Sequence, residues 1–577
     1  MMGNSQLPRR RRLASARPGR IRRTAGSLAL VCVLLGIEGG PSYAAAQSPQ
    51  PARSSSWTVY HGDPAGTGAA APVSAVRTTA QVWSSPTVDG QIYGEPLVYA
   101  SRIFVATEND TVYALSAATG AVVWSTHLGR PVPSASLPCG DITPTVGITG
   151  TPVIDTSRGE IFVVADELAG GKPAHRLVGL STASGTVEMS QPVDPPGADP
   201  AALLQRTGLT LDAGQVVFGM GGNYGDCASY RGRVTAVPEK GGPPRDFTVD
   251  AAPGESQGAV WMGGAAPVVD SSGHIWVSTG NGSVYSYQHA YDDSDSVLEL
   301  SSSLRLLQFF APSTWATDNS RDLDMSTAPA LLPGGQVMLA GKSRIVYLLN
   351  GAHLGGIGHQ QATLGAEPDA IMGSACSNDI DGGAAVLDMT VFLPCTSGIV
   401  AVQVTRSPPG MHLLWSSGTG GGPPIIAAGL VWTIGQNGTL YGLDPATGQV
   451  RQQVAIGMPA NHFPTPSTGE GLLLAARADN VVAFAAPAPG AATTPAAGPV
   501  GPTGGQAHSA PAASAPAASA SATPTHLRRR DIAAIALGAL VVIASLGWFL
   551  WRRRKGGRQT VSTSSPNRDD FWQPPSA

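Results

Sequence analysis

The stretch Val112-Tyr113-Ala114-Leu115-Ser116-Ala117-Ala118-Thr119-Gly120-Ala121-Val122-Val123-Trp124 decides the fold. It returns as Leu440-Tyr441-Gly442-Leu443-Asp444-Pro445-Ala446-Thr447-Gly448-Gln449-Val450, and more faintly as Leu177-Val178-Gly179-Leu180-Ser181-Thr182-Ala183-Ser184-Gly185-Thr186-Val187. Each copy is an alternating apolar strand, a tight turn ending in Thr-Gly or Ser-Gly, and a second apolar strand. The glycine supplies the positive φ that such a turn needs. A hairpin repeated across hundreds of residues predicts a ring of similar β-blades.

Counting outward from these copies gives eight segments of one plan, beginning near Glu95, Gly150, Thr207, Gly264, Thr327, Gly382, Gly422 and Phe463. A single blade cannot bury both its faces, whereas blades packed radially cover one another and leave no long open edge. The reading is an all-β, eight-bladed propeller over residues 47–486, with Gln81-Val82-Trp83 lending a strand to the last blade to close the ring. Residues 195–205 and 283–292 read as insertions in the longer blades.

The ends of the chain predict a compartment. Residues 1–46 combine a basic region (Arg9 to Arg12, Arg17, Arg20, Arg22, Arg23), a short apolar run over 25–37 and Ala44-Ala45-Ala46, the pattern of a secretion signal. Residues 487–527, rich in Ala, Pro, Ser and Thr, cannot build a core and read as a tether. Within 528–555, residues 532–551 are uncharged and long enough to cross a bilayer; Arg552, Arg553, Arg554 and Lys555 follow them, and 556–577 make a short tail. The expected topology is a single-pass protein of the cell membrane, anchored by the C-terminal helix, with the propeller extracytoplasmic and the C-terminus cytoplasmic.

Charge and cysteine usage agree with that placement. The chain is near neutral at −3. Residues 47–527 nevertheless carry about 19 basic against about 35 acidic residues, a net charge of about −16. Such a surface excludes nucleic acid as a partner. Beyond Cys32 in the signal, four cysteines remain: Cys139, Cys227, Cys376 and Cys395. An even number outside the cell predicts two disulfides. Three pairings are open; the short separation of Cys376 and Cys395 favours that pair, with Cys139–Cys227 as the other.

The hairpins resemble the pyrroloquinoline-quinone-type propeller repeat, whose best-known members are the quinoprotein alcohol dehydrogenases. The resemblance covers roughly residues 57–486 and includes the opening Trp57-Thr58-Val59-Tyr60-His61-Gly62-Asp63 with Thr67-Gly68. It implies eight blades, as the count does. In the enzymes the central funnel holds pyrroloquinoline quinone and Ca²⁺ or a lanthanide, and five positions here follow the family order. Trp261 in Gly258-Ala259-Val260-Trp261 matches the floor under the quinone. Asn281 in Thr279-Gly280-Asn281 matches a metal ligand. Asp322 matches the catalytic base, which also borders the metal, and Asp324 matches the second aspartate of lanthanide-type members. Lys342, before Ile345-Val346-Tyr347, matches the basic residue beside the quinone. Oxygen ligands suit a hard cation that polarises a carbonyl while an aspartate removes a proton.

The chain departs from the enzymes at three places. The metal-binding glutamate falls on Cys227 in Asp226-Cys227-Ala228-Ser229-Tyr230-Arg231-Gly232, with Asp226 on the opposite face if the strand is regular. The adjacent cysteines near the quinone are reduced to Cys139 alone. Arg321 replaces the tryptophan before the catalytic aspartate. No Cys-x-x-Cys exists for haem attachment, nor is there a P-loop. Asp292-Asp293-Ser294-Asp295 has the composition of a calcium loop, lacks the glycine and distal glutamate of an EF-hand, and reads as a loop before Val297. The sequence therefore predicts a binding or scaffold propeller with an incomplete catalytic site, its partner another envelope protein or a small ligand in the funnel, and no cofactor required. The alternative is a quinone-dependent alcohol or sugar dehydrogenase.

Overall fold

The computed structural model describes residues 56–71, 75–364 and 376–486. The predicted signal, tether, membrane helix and tail all lie outside these residues. Among the described residues no helix is long and apolar enough to cross a membrane.

Eight sheets follow one another along the chain, each built on four antiparallel strands; blade 3 gains a fifth strand, and blade 4 gains Gly356–Ile357, which pairs in parallel with its outer strand. Blade 1 comprises Leu97–Tyr99, Arg102–Ala106, Thr111–Ser116 and Val122–His127. Blade 2 comprises Val153–Asp155, Glu160–Ala169, Lys172–Ser181 and Val187–Pro192. Blade 3 comprises Thr210–Asp212, Gln215–Gly222, Arg233–Pro238 and Arg245–Thr248, with Leu203–Leu204 added beside the second strand. Blade 4 comprises Val268–Val269, Ile275–Ser278, Val297–Leu300 and Leu306–Ala311. Blade 5 comprises Ala330–Leu331, Gln336–Leu339, Val346–Asn350 and Ala362–Leu364. Blade 6 comprises Ala385–Leu387, Thr390–Cys395, Gly398–Arg406 and Pro409–Ser416. Blade 7 comprises Ile425–Ala427, Leu430–Gly435, Thr439–Leu443 and Val450–Ala455. Blade 8 takes Ser467–Gly469, Leu472–Arg477 and Asn480–Ala485 from the end of the domain and Gln81–Ser84 from its beginning. The pairing of Gln81 with Phe484 and Ser84 with Val482 is the predicted ring closure.

Burial follows from radial packing. The long second and third strands are covered on both faces, as in Glu160–Ala169, while outer strands such as Val122–His127 and Val450–Ala455 alternate between half-buried and exposed.

The Thr-Gly hairpins join neighbouring blades. In blade 1 the Gly120 amide donates to Ser116 O and the Ser116 amide to Ala121 O, both at 2.8 Å, closing a turn with a bulge at Leu115. Gly120, Gly185 and Gly448 all have φ near +70°. Each also lies flat against a tryptophan from the preceding blade's outer strand: a methyl on Gly120 would come within 2.5 Å of the Trp83 ring, one on Gly185 within 2.6 Å of Trp124, and one on Gly448 within 2.5 Å of Trp415. The indole N–H groups donate to Ala117 O, Thr182 O and Pro445 O of the same hairpins. Trp124 thus ends one motif and docks on the next. Blade 2 carries no such tryptophan, and Gln191 replaces it by exchanging two hydrogen bonds with Gly242.

The opening segment threads the channel. Trp57 pairs with Val98, and the carbonyls of Thr58, Pro64, Thr67 and Gly68 accept from the amides of Ile154, Val269, Val386 and Ile426. It therefore ties together the innermost strands of blades 1, 2, 4, 6 and 7. Buried Glu95 accepts from Trp57 Nε1 and the His61 amide. The stacked Tyr60 and His61 rings, 4.3 Å apart, fill the centre, and burial pushes His61 down to about 3, so it is neutral.

Candidate functional site at the mouth of the propeller

Connections between second and third strands, and those from one blade to the next, emerge at the same end of a propeller. All five predicted site residues sit on such connections in blades 4 and 5. Trp261 precedes the innermost strand of blade 4 and opens the turn Met262–Gly264; Asn281 follows the second strand. Asp322 and Asp324 follow the short helix Trp315–Asn319, and Lys342 follows the second strand of blade 5.

The structure brings them together. Asp324, 5 % exposed at its side chain, accepts from the Asn281 amide through Oδ1 at 2.7 Å. Its Oδ2 accepts from Trp261 Nε1 at 3.1 Å and pairs with Lys342 Nζ at 2.7 Å. Lys342 Nζ also donates to Asp322 Oδ1 at 2.8 Å and stands 5.3 Å from the centre of the Trp261 ring. The Lys342 amide bonds Asp324 O at 3.0 Å. Gly280 and Gly341 permit this approach, since a side chain at either would run into Asp324. Burial opposes charge on Lys342, but Asp324 and Asp322 outweigh it and hold the ammonium protonated. Asp322 lies at the open mouth with its side chain 65 % exposed. Loss of hydration and the nearby Asp324 push it up to about 6, Lys342 offsetting part of the rise.

Further acids surround this centre. Asp381, at the start of blade 6, is pushed up to about 7 by burial, and Asp295 is held well up by burial and by Asp324. Asp226 departs from the regular-strand expectation. Its φ of 47° breaks the alternation, and its carboxylate, which accepts from Tyr230 Oη at 2.7 Å, senses both Asp324 and Lys342. Its neighbour Cys227 is bonded to Cys139, tying the connection after blade 1 to blade 3; Cys376 is bonded to Cys395.

Two site residues carry no sequence motif. Phe463 packs on Trp261 with ring centres 5.9 Å apart. Arg206 lies over Phe463 at 5.5 Å and Tyr93 at 5.9 Å and donates to Asn461 Oδ1 at 2.7 Å. Both stand on blade-to-blade connections, where no periodicity signals a role. Elsewhere, Asp270, His274 and Glu299 cluster within ligand distance of one another, but they already bond among themselves, Glu299 Oε1 to His274 Nδ1 at 2.6 Å.

Comparison with known proteins places this architecture. A family profile described as outer membrane protein assembly factor BamB matches residues 69–306, blades 1 to 3 and the first three strands of blade 4. No curated protein matches the chain. Among solved structures, the quinohemoprotein alcohol dehydrogenase ADHIIG of Pseudomonas putida HK5 is similar at 13 % identity with a TM-score of 0.55, over 75 % of this chain and 80 % of that one. The quinohemoprotein alcohol dehydrogenase of Comamonas testosteroni gives 14 % and 0.55, over 74 % and 80 %. A europium-containing methanol dehydrogenase gives 12 % and 0.55, over 75 % and 98 %. At such identities the likeness is one of fold. The profile covers less than half of the chain, and in its eight-bladed architecture the chain is similar to the pyrroloquinoline-quinone-type β-propeller proteins.

Proposed function

We propose that the propeller is an extracytoplasmic binding or scaffold module, held at the cell membrane by the C-terminal helix, whose funnel recognises a ligand or an envelope-protein segment without performing chemistry. The observation that carries this reading is the seat of Lys342. Its ammonium lies between Asp322 and Asp324, the two aspartates that match metal-bordering positions of the family's enzymes, and Asp324 already accepts from Lys342, Trp261 and the Asn281 amide. The glutamate position is a half-cystine. A hard cation needs six or more oxygens, and here both oxygens of Asp324 are already hydrogen-bonded or ion-paired. Trp261 is flanked by Phe463 and Lys342. The residues present do not fit a Ca²⁺- or lanthanide-bound quinone. The family profile, that of an assembly factor, supports a protein partner.

The convergence of Trp261, Asn281, Asp322, Asp324 and Lys342 favours the second reading, a quinone-dependent alcohol or sugar dehydrogenase. The full chain in detergent, incubated with pyrroloquinoline quinone and Ca²⁺ or La³⁺, separates the two. The binding reading expects an unchanged quinone spectrum and no dye reduction with simple alcohols or sugars. Metal-dependent oxidation abolished by Asp322→Asn would overturn it.

A further inference from the structure

Beside the funnel, blades 3 and 4 share a second group of oxygens. Asp250 follows the outer strand of blade 3 and is fully buried; Asp292 comes from the connection inside blade 4 and is 5 % exposed. Their backbones touch, the Asp250 amide donating to Asp292 O at 3.1 Å. Gln257 forms a bridge with Gly282. A methyl on Gly282 would lie 2.6 Å from Asp292 Oδ2, and one on Gly258 would lie 3.2 Å from Asp250 Cγ. Both carboxylates therefore pack against the same piece of backbone.

Their hydrogen bonds leave much unsatisfied. Asp292 Oδ1 accepts from the Ser294 amide and hydroxyl. Asp292 Oδ2, both oxygens of Asp250 and Gln257 Oε1 are buried and accept no regular hydrogen bond. The Ser283 amide, which acts weakly on Asp250, is committed to Ser256 O at 3.1 Å. Among the described residues no lysine or arginine pairs with Asp250, Asp292 or Asp293. Buried carboxylates without a counter-charge are strongly disfavoured. An anionic set made only of oxygen is the donor chemistry of a hard divalent cation, with backbone carbonyls and water completing six to eight ligands.

We infer that Asp250 and Asp292 form a calcium site that clamps the end of blade 3 to the loop of blade 4 carrying Asn281. This site is separate from the Lys342 centre and stands whether or not the funnel holds a ligand.

The test uses the full chain in detergent, stripped with chelator and then titrated with CaCl₂. Calorimetry should show one site with a Kd of roughly 0.1–1 mM, the range of extracellular calcium modules. The melting temperature should rise by several degrees, and hydrogen exchange should slow at 249–258 and 282–295. The variant Asp250→Asn/Asp292→Asn should melt in chelator no lower than the parent, because it removes buried like charges, and should lose the calcium response. No heat and no protection in the parent, or a response kept by the variant, would overturn the site. If the variant does not fold, the parent's exchange pattern decides: protection at those two segments supports the site, and protection elsewhere refutes it.

Discussion

Gly120→Ala, measured against Gly214→Ala, tests whether the repeated hairpin holds the ring together. Both glycines are left-handed, with φ of 71° and 75°. An alanine forced there costs about 1–2 kcal/mol. The entropic gain from replacing glycine in the unfolded chain is common to both and cancels. Their surroundings differ. A methyl on Gly214 meets nothing within 4 Å, whereas one on Gly120 meets the Trp83 ring at 2.5 Å. Relief requires moving an indole that is 8 % exposed and hydrogen-bonded to Ala117 O at 2.8 Å. Overpacking of this kind costs about 1–3 kcal/mol, and the displaced hydrogen bond about 1 kcal/mol more. Gly120→Ala should therefore destabilise by about 3–6 kcal/mol and Gly214→Ala by about 1–2 kcal/mol, read from urea unfolding followed by circular dichroism. Trp83→Ala alone should cost about 3–5 kcal/mol, and in that background Gly120→Ala should fall to the cost of Gly214→Ala. Equal costs for the two glycines, or strict additivity of Gly120→Ala with Trp83→Ala, would refute the docking of tryptophan on glycine.

Other consequences follow from the buried charges and cross-links. Burial raises Asp110 to about 9 and Glu108, Asp166 and Asp381 to about 7, so the folded chain holds protons that the unfolded chain releases. That stability is complete below the ordinary carboxylate range and is lost as pH rises through 7 to 9, at up to about 1.4 kcal/mol per pH unit for each group. The melting temperature in chelator should fall from pH 5 to pH 9, and a profile rising toward pH 8 would contradict the assignment. Removing Lys342 as Lys342→Met strands Asp322 and Asp324 and should cost about 3–5 kcal/mol. Adding Asp324→Asn should restore part of this, and unfolding curves of the single and double variants give the answer. The chain spans 88 residues between Cys139 and Cys227 and 19 between Cys376 and Cys395. Loop-closure entropy assigns these bonds about 4.6 and about 3.2 kcal/mol, so Cys139→Ser/Cys227→Ser should lower the urea midpoint more than Cys376→Ser/Cys395→Ser.

Much of the ring was legible because its signal is local and repeated. The Thr-Gly hairpin, the eight spaced β-runs and the closing strand at Gln81–Ser84 can all be read from alternation and turn chemistry. The second role of Gly120 could not, because its tryptophan partner comes from the blade at the other end of the domain. The five family-matched residues do meet, since strand-end positions of successive blades converge at one end. Their bonding was not legible: the order Asp322, Asp324, Lys342 does not say that the ammonium sits between the carboxylates. A regular strand would turn Asp226 to the opposite face, and its left-handed backbone leaves no mark in the sequence. Arg206 and Phe463 have neither periodicity nor motif; Phe463 meets Trp261, and Arg206 meets Phe463, only through the fold of the ring.

The most direct test of the funnel's nature is an experimental structure of the full chain incubated with pyrroloquinoline quinone and La³⁺. The account predicts Lys342 Nζ still between Asp322 and Asp324, Phe463 against Trp261, and no quinone in the funnel. A quinone stacked on Trp261, with a metal ion bound by Asn281 and Asp324, would contradict it.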